Sequence, residues 1–219
     1  MRIGLFGGTF DPIHLGHLRS AEVTREAFTL ERVYFIPAAR PPHKRGEDLA
    51  PAYHRLKMVE LAVTDNPFFS VSAVEMEREG KSYSIDTIRH FLDVLQPSAL
   101  FFILGVDAFC EMHTWKEYEA IPELCNLIVT SRPGIPMPPS GVLLPVALRS
   151  AFWYDPVSKM HRHRSGHTVV SYEIEGLHIS ASAIREKARH GKSIRYLIPA
   201  PVACYMKEHS LYKPRVSLR

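Results

Sequence analysis

Thiols are scarce in this chain of 219 residues: Cys110, Cys125 and Cys204 form no CxxC pair. That excludes a disulfide framework and a cysteine zinc ribbon, and each cysteine reads as a reduced, small apolar residue. No apolar run approaches membrane-spanning length. The opening run, Ile3 to Phe6, is too short for a secretory signal, so the expected setting is cytoplasmic, away from a membrane. A large charge excess is also missing. Lys and Arg number 27 against 23 Asp and Glu, a net +4, which suits an anionic small molecule as well as nucleic acid. Recognition of RNA would call for a basic surface studded with aromatics. Here the aromatics fall mostly in apolar runs, which argues against a nucleic-acid partner. Asp11, Asp86 and Asp107 lack metal-ligand spacing, so no protein metal site is expected. Two phosphate motifs are absent as well. No Lys-Ser/Thr pair follows the glycines as in a P-loop, and Gly4, Gly7 and Gly8 are out of register for GxGxxG.

What remains is an ordinary globular composition, 46% hydrophobic and 23% charged, whose length suits a single domain over residues 1–219. Short apolar runs at Ile3 to Phe6, Val33 to Ile36, Ala99 to Leu104 and Leu127 to Val129 fit strands buried on both faces. Helical stripes lie between them, at Leu56, Val59 and Val63 and at Ile85, Ile88, Leu92 and Leu95. This alternation predicts an α/β fold with a doubly wound, mostly parallel sheet. A further strand is expected within Phe69 to Met76. From Pro133 to Leu177 prolines interrupt the pattern, predicting a loop or hairpin insertion near 142–178 with one β-like run, Thr168 to Ile174. A small C-terminal helical portion over 180–212 follows, with helices at Ala183 to His190 and Val202 to Glu208.

Gly7-Gly8-Thr9-Phe10-Asp11-Pro12-Ile13-His14-Leu15-Gly16-His17 follows the first strand and leads into a helix-like pattern. A glycine turn before a helix frees backbone N–H groups at the positive end of the helix dipole, which makes an anion site. His14 and His17, three apart, would share one side of a helical turn and face whatever the glycines hold. A plain connection with two solvated histidines is the alternative. A zinc pair is another, but it lacks the Glu of HExxH and a third ligand.

Gly8 to His17, GTFDPIHLGH, resembles the signature of nucleotidyltransferases sharing the (H/T)xGH motif. The resemblance implies a Rossmann-like fold, motif histidines that bind the phosphates undergoing transfer, and no covalent nucleophile. Ile179 to Arg185, ISASAIR, resembles the ISSTxIR motif of the same superfamily, which binds ATP phosphates and adenosine. Read from the residues, Ser182 can cap a helix whose third residue is Arg185, and a cation in the first turn opposes the dipole unless an anion sits there. Arg40-Pro41-Pro42-His43-Lys44-Arg45-Gly46 follows the second strand. It is either a solvated basic loop or a phosphate clamp with Lys44 as the contact.

Lys81-Ser82-Tyr83-Ser84-Ile85-Asp86-Thr87 resembles an SYTxDT segment. Leu104-Gly105-Val106-Asp107, followed by Trp115 and Tyr118, resembles the LGxD…W region of bacterial nicotinate-nucleotide adenylyltransferases. An aromatic face there can stack on a pyridine ring, with backbone donors near Tyr83, Ser84 and Trp115 to Tyr118 for its carboxylate. Ser84 departs from the usual threonine but keeps the hydroxyl. The stretch Val142 to His178 looks longer than in the family and carries Lys159, His161, Arg162, His163, Arg164 and His167. A solvated hairpin is expected there, with an oligomer contact or an anion-binding lid as alternatives.

The resemblance implies adenylyl transfer from ATP to nicotinate mononucleotide, giving deamido-NAD and pyrophosphate, with Mg²⁺ held mainly by the ATP phosphates. It implies catalytic roles for His14, His17, Lys44 and Arg185. ATP contacts are implied at Gly7, Gly8, Thr9, Phe10, Ile179, Ser180, Ser182 and Arg185. Acceptor contacts are implied at Tyr83, Ser84, Asp86, Thr87, Gly105, Asp107, Trp115 and Tyr118. Rival readings are a dual-specificity enzyme that also takes the amide nucleotide, a pantetheine-phosphate adenylyltransferase or cytidylyltransferase, and a non-catalytic nucleotide- or RNA-binding protein. A homo-oligomer is left open.

Overall fold

The computed structural model describes residues 1–42, 49–131, 137, 144–175 and 177–213. Its described strands form one sheet in the order β3-β2-β1-β4-β5-β8-β7-β6. The strands β1 (Arg2–Gly8), β2 (Arg32–Pro37), β3 (Phe69–Val71), β4 (Ala99–Gly105), β5 (Asn126–Thr130) and β8 (Thr168–Tyr172) are parallel. β6 (Phe152–Asp155) and β7 (Met160–His163) add an antiparallel hairpin at the far edge.

Unbroken apolar runs are explained by what covers each face. In β4, Leu100, Phe102 and Leu104 join one hydrophobic cluster with Ile85, Ile88 and Phe91 of α4 (Ser84–Leu95). Phe101 and Ile103 join the opposite cluster, with Ala21 of α1 (Leu15–Ala27) and Met58 and Val59 of α2 (Ala52–Val63). Alternate residues thus leave water on opposite sides, and no strand position can be polar without cost. The final helices, which we label α7 (Ala181–Arg189) and α8 (Ala200–Glu208), send Ile184, Val202 and Met206 into that second cluster.

Between α2 and α7, three shorter helices, α3 (Val74–Glu77), α5 (Val106–Cys110) and α6 (Ile121–Leu124), occupy strand connections. α3 corrects one expectation, since the strand within Phe69 to Met76 ends at Val71. Ser72 N–H makes the last bond to β2, at Phe35 O (3.0 Å), and Ala73 O then accepts from Met76 N–H and Glu77 N–H. Among the described residues nothing beyond β3 pairs this edge, so the chain satisfies its amides locally.

The basic hairpin is less solvated than expected. Lys159 and Arg164 are exposed, but His161 and His163 are buried on the inward face of β7. Arg162 pairs with Asp155 (3.1 Å) and Arg164 with Glu123 (3.0 Å). Alternation along a strand decides this: every second residue faces inward, and burial holds the His163 imidazole below its ordinary pKa, reinforced by Arg164.

Strand order reverses between β1 and its neighbours β2 and β4, so the carboxyl ends of β1 and β4 open a crevice at this switch point. Gly8 ends β1 and Gly105 ends β4. Among the described residues, no helix is long and apolar enough to cross a membrane.

Candidate active site

Two cavities share one wall in that crevice. Phe6, Gly7, Gly8 and Thr9 from β1 and its turn, with Gly105 and Ala108, line both. The first, about 470 Å³, continues over Ile36, Ala38, Pro41 and Pro42 to Tyr83, Ser84, Thr87, Trp115 and Lys116. The second, about 340 Å³, continues over Phe10, His14 and His17 to Asp107, Ser131, Leu177 and Ile179.

The two histidines are locked by their own backbone. His14 is the N-cap of α1, and its Nδ1 accepts from His17 N–H (3.3 Å), while His17 Nδ1 accepts from His14 N–H (3.2 Å). This is a capping box made of imidazoles, which satisfies two orphan amides of the helix start. Both neutral rings must then carry the proton on Nε2, making that atom the donor of each. The rings stack at 3.6 Å and 18°. Phe10 stands edge-on to His17 at 5.1 Å.

Gly16 makes the stack feasible. A Cβ there would lie 3.0 Å from His14 Nδ1 and 3.1 Å from its Cε1, tighter than ordinary contact. Gly8 is similar, since its Cβ would meet the Phe10 ring at 2.9 Å.

Beside the first cavity, Lys116 Nζ lies 3.0 and 3.1 Å from the Asp86 carboxylate oxygens and 5.1 Å from the Tyr83 ring centroid. Trp115 stands edge-on to Phe102 at 6.2 Å. Thr87 is buried, and its hydroxyl donates to Glu75 Oε1 (2.7 Å). Glu75 also lines this cavity.

Several expected site residues sit elsewhere. Asp107, expected with the acceptor, lines the second cavity beside His14 and His17, from the first turn of α5 after Gly105. Tyr118 lines neither cavity; its hydroxyl donates to Glu119 (3.1 Å). Asp86 does not line the first cavity; its carboxylate pairs with Lys116, which does. Ser180, not Ser182, is the N-cap of α7, accepting from Ala183 N–H (3.3 Å), and Ser182 falls inside the first turn. Arg185 leaves the helix start and donates to Asp11 O (2.7 Å), with its Nη1 3.6 Å from Asp11 Oδ2. Lys44 lies outside the described residues.

Arg55 lies outside the sequence motifs, and its side chain is essentially fully buried. It donates to Thr9 O (2.8 Å), Ala50 O (3.0 Å) and Ala39 O (3.1 Å), tying the glycine turn to the loop after β2. Burial lowers its pKa, and the Asp11 carboxylate opposes that shift. The available signal was an arginine in helical register with Met58, Val59 and Ala62 on the apolar face of α2. Among the described residues, no three His, Cys, Asp or Glu side chains cluster to hold a metal ion.

A cytidylyltransferase-like family profile matches residues 5–187. The chain is 50% identical over 212 residues to a Citrifermentans bemidjiense protein named probable nicotinate-nucleotide adenylyltransferase, spanning 97% of this chain and 98% of that one. A Geobacter metallireducens protein of the same name is 49% identical over 214 residues, with 97% and 98% covered. Among solved structures, Plasmodium falciparum nicotinic acid mononucleotide adenylyltransferase complexed with NaAD aligns with a TM-score of 0.74 at 16% identity, covering 96% of this chain and 97% of that chain. The same enzyme complexed with APC gives 0.71 at 16% identity, with 96% of each chain covered. At that identity the structural likeness speaks for the fold. With the paired imidazoles, the shared glycine wall and near-full-length identity in agreement, the chain belongs to the nicotinate-nucleotide adenylyltransferase family, within the cytidylyltransferase-like nucleotidyltransferases.

Proposed function

We propose that this protein transfers the adenylyl group of ATP to nicotinate mononucleotide, giving deamido-NAD and pyrophosphate. The observation that carries this reading is the pair of cavities meeting at Gly7, Gly8 and Thr9. A transfer between two nucleotides needs two pockets and one shared wall where the reacting phosphates meet, with attacking and leaving oxygens in line.

The acceptor's phosphate oxygen, already ionised at neutral pH, forms a bond to the α-phosphorus of ATP. The bond from that phosphorus to the bridging oxygen breaks, and pyrophosphate leaves with the electron pair. No proton has to be removed, so the protein's work is positioning and neutralising charge. His14 and His17 donate Nε2–H to the transferred phosphate, while Gly8 and Thr9 add backbone and hydroxyl donors. Lys44 and Arg185 hold the departing phosphates in this reading. The acceptor ring lies against Trp115 and Tyr83, with Ser84 and Lys116 near its carboxylate. Mg²⁺ enters with ATP, held by phosphate oxygens and water, which suits a site without a described carboxylate cluster.

Pyrophosphate release and product identity test this, with ATP and Mg²⁺ and with nicotinate or nicotinamide mononucleotide offered in parallel. The expected result is strong preference for the acid. Equal use of both would mean a dual-specificity pocket, and use of neither would discard the acceptor assignment.

Gly16→Ala provides a second check. The added methyl pushes the His14 ring from its stack, and kcat is expected to fall about tenfold or more. Unchanged kcat would mean that the stacked geometry is not used in turnover.

A further inference from the structure

Asp11 and Tyr212 have no part in the chemistry above, yet Tyr212 bonds to Asp11, which lines the second cavity. Asp11 is buried, at 2% exposure, three residues before His14. Its Oδ1 accepts from Ala50 N–H (3.1 Å) and from the Tyr212 hydroxyl, 201 residues away along the chain. Its backbone carbonyl accepts from Arg185, and among the described residues Oδ2 has no hydrogen-bond partner, only the Arg185 guanidinium at 3.6 Å. Burial, reinforced by the Asp11 charge, raises the Tyr212 pKa far above the phenol range, so the hydroxyl remains a donor throughout the working pH range.

This arrangement is costly as a means of stability alone. A buried carboxylate loses its hydration, and a phenol, one amide and two arginines that do not hydrogen-bond to it return only part of that loss. What it supplies is geometry. Thr9 O is held by Arg55, Asp11 O by Arg185 and the Asp11 carboxylate by Tyr212, so three distant parts of the chain fix the turn that ends at His14. Tyr212 arrives from the turn after α8, where Leu211 N–H is bonded to Met206 O (2.9 Å). The end of the described chain thereby acts as a strap across the motif loop.

We propose that Tyr212 is a positioning residue for adenylyl transfer, its hydroxyl holding the loop from Thr9 to His14 at the register in which both imidazoles meet the reacting phosphate. The inference rests on the phosphate contacts assigned to His14 and His17 under the proposed function. Positioning errors of about 1 Å cost roughly a hundredfold in rate, without loss of binding.

The test is Tyr212→Phe in the full chain, which keeps the ring and removes only the donor. Its kcat is expected to fall by about ten- to a hundredfold, with KM for both substrates and the melting temperature nearly unchanged. Asp11→Ala, which removes the acceptor, should cause at least a similar fall, and Tyr212→Phe should add almost nothing to it, because the two act as one unit. Tyr205→Phe, which removes a bond to His54 outside either cavity, should retain full kcat. A kcat retained within about twofold in Tyr212→Phe, a matching rise in KM, or additive losses with Asp11→Ala would each overturn the proposal. Heteronuclear NMR of the imidazoles gives a reading that needs no turnover. The His14 and His17 resonances should move in Tyr212→Phe while that of His113 stays, and unmoved resonances would overturn the proposal even if the acceptor assignment failed.

Discussion

His17→Ala is expected to lower kcat by about two to three orders of magnitude, the loss found when one preorganised donor to a developing anion is removed. KM for ATP and for nicotinate mononucleotide should change by less than about threefold, because the donor matters most when charge gathers on the transferred phosphate. The expectation follows from the capping box. With Nδ1 of His17 committed to His14 N–H, Nε2 is its donor, and the ring is held by the His14 stack and the edge of Phe10. The substitution also removes a cap, costing about 1 kcal/mol of stability. His17→Gln separates the two effects. Glutamine at the third helical position can restore the cap, so stability should recover while kcat does not. Steady-state kinetics and thermal melting of both variants decide the matter. A raised KM with kcat intact would reduce His17 to a binding group.

Arg55→Leu should be the most destabilising single change near the site, by about 3–5 kcal/mol, the range seen when one member of a buried charged network is deleted. Three carbonyls, of Thr9, Ala39 and Ala50, would lose their donor, and Asp11 would lose a neighbouring cation. Chemical denaturation reads the loss directly, as a lower midpoint with unchanged slope. Arg55→Lys should recover little, since one ammonium cannot reach three carbonyls in the guanidinium's planar geometry. Loss below about 1 kcal/mol would mean that water or a rearranged loop replaces the lost donors.

Much of the architecture was legible because its signals are local. Runs such as Ala99 to Leu104 report strands covered on both faces, and the observed β4 exceeds that run by one residue, Gly105. The spacing of His14 and His17 correctly put their rings on one side of a helical turn. The edge elements were harder to read. β6 and β7 pair with little continuous apolar sequence, since an edge hairpin needs only alternate inward residues, which is why His161 and His163 passed for solvated groups. The N-cap of α7 went to Ser180 over Ser182 because both serines suit the position, and the tertiary placement of α7 selects between them.

Site membership divided along similar lines. The glycine turn, Tyr83, Ser84 and Trp115 could be named from their motifs, and all of them line the shared crevice. Asp107 and Tyr118 follow the same β4 motif, but a helical turn after Gly105 sends one to the second cavity and leaves the other outside both. Sequence alone determined the sheet's chemistry, the glycine turn and the paired imidazoles, since each depends on residues within a few positions of one another. Only the tertiary structure decided that Arg55, Arg185 and Tyr212 converge on Thr9 and Asp11. Those groups lie up to 201 positions apart, and a hydrogen bond closing so long a loop has no periodicity or spacing through which a sequence could announce it.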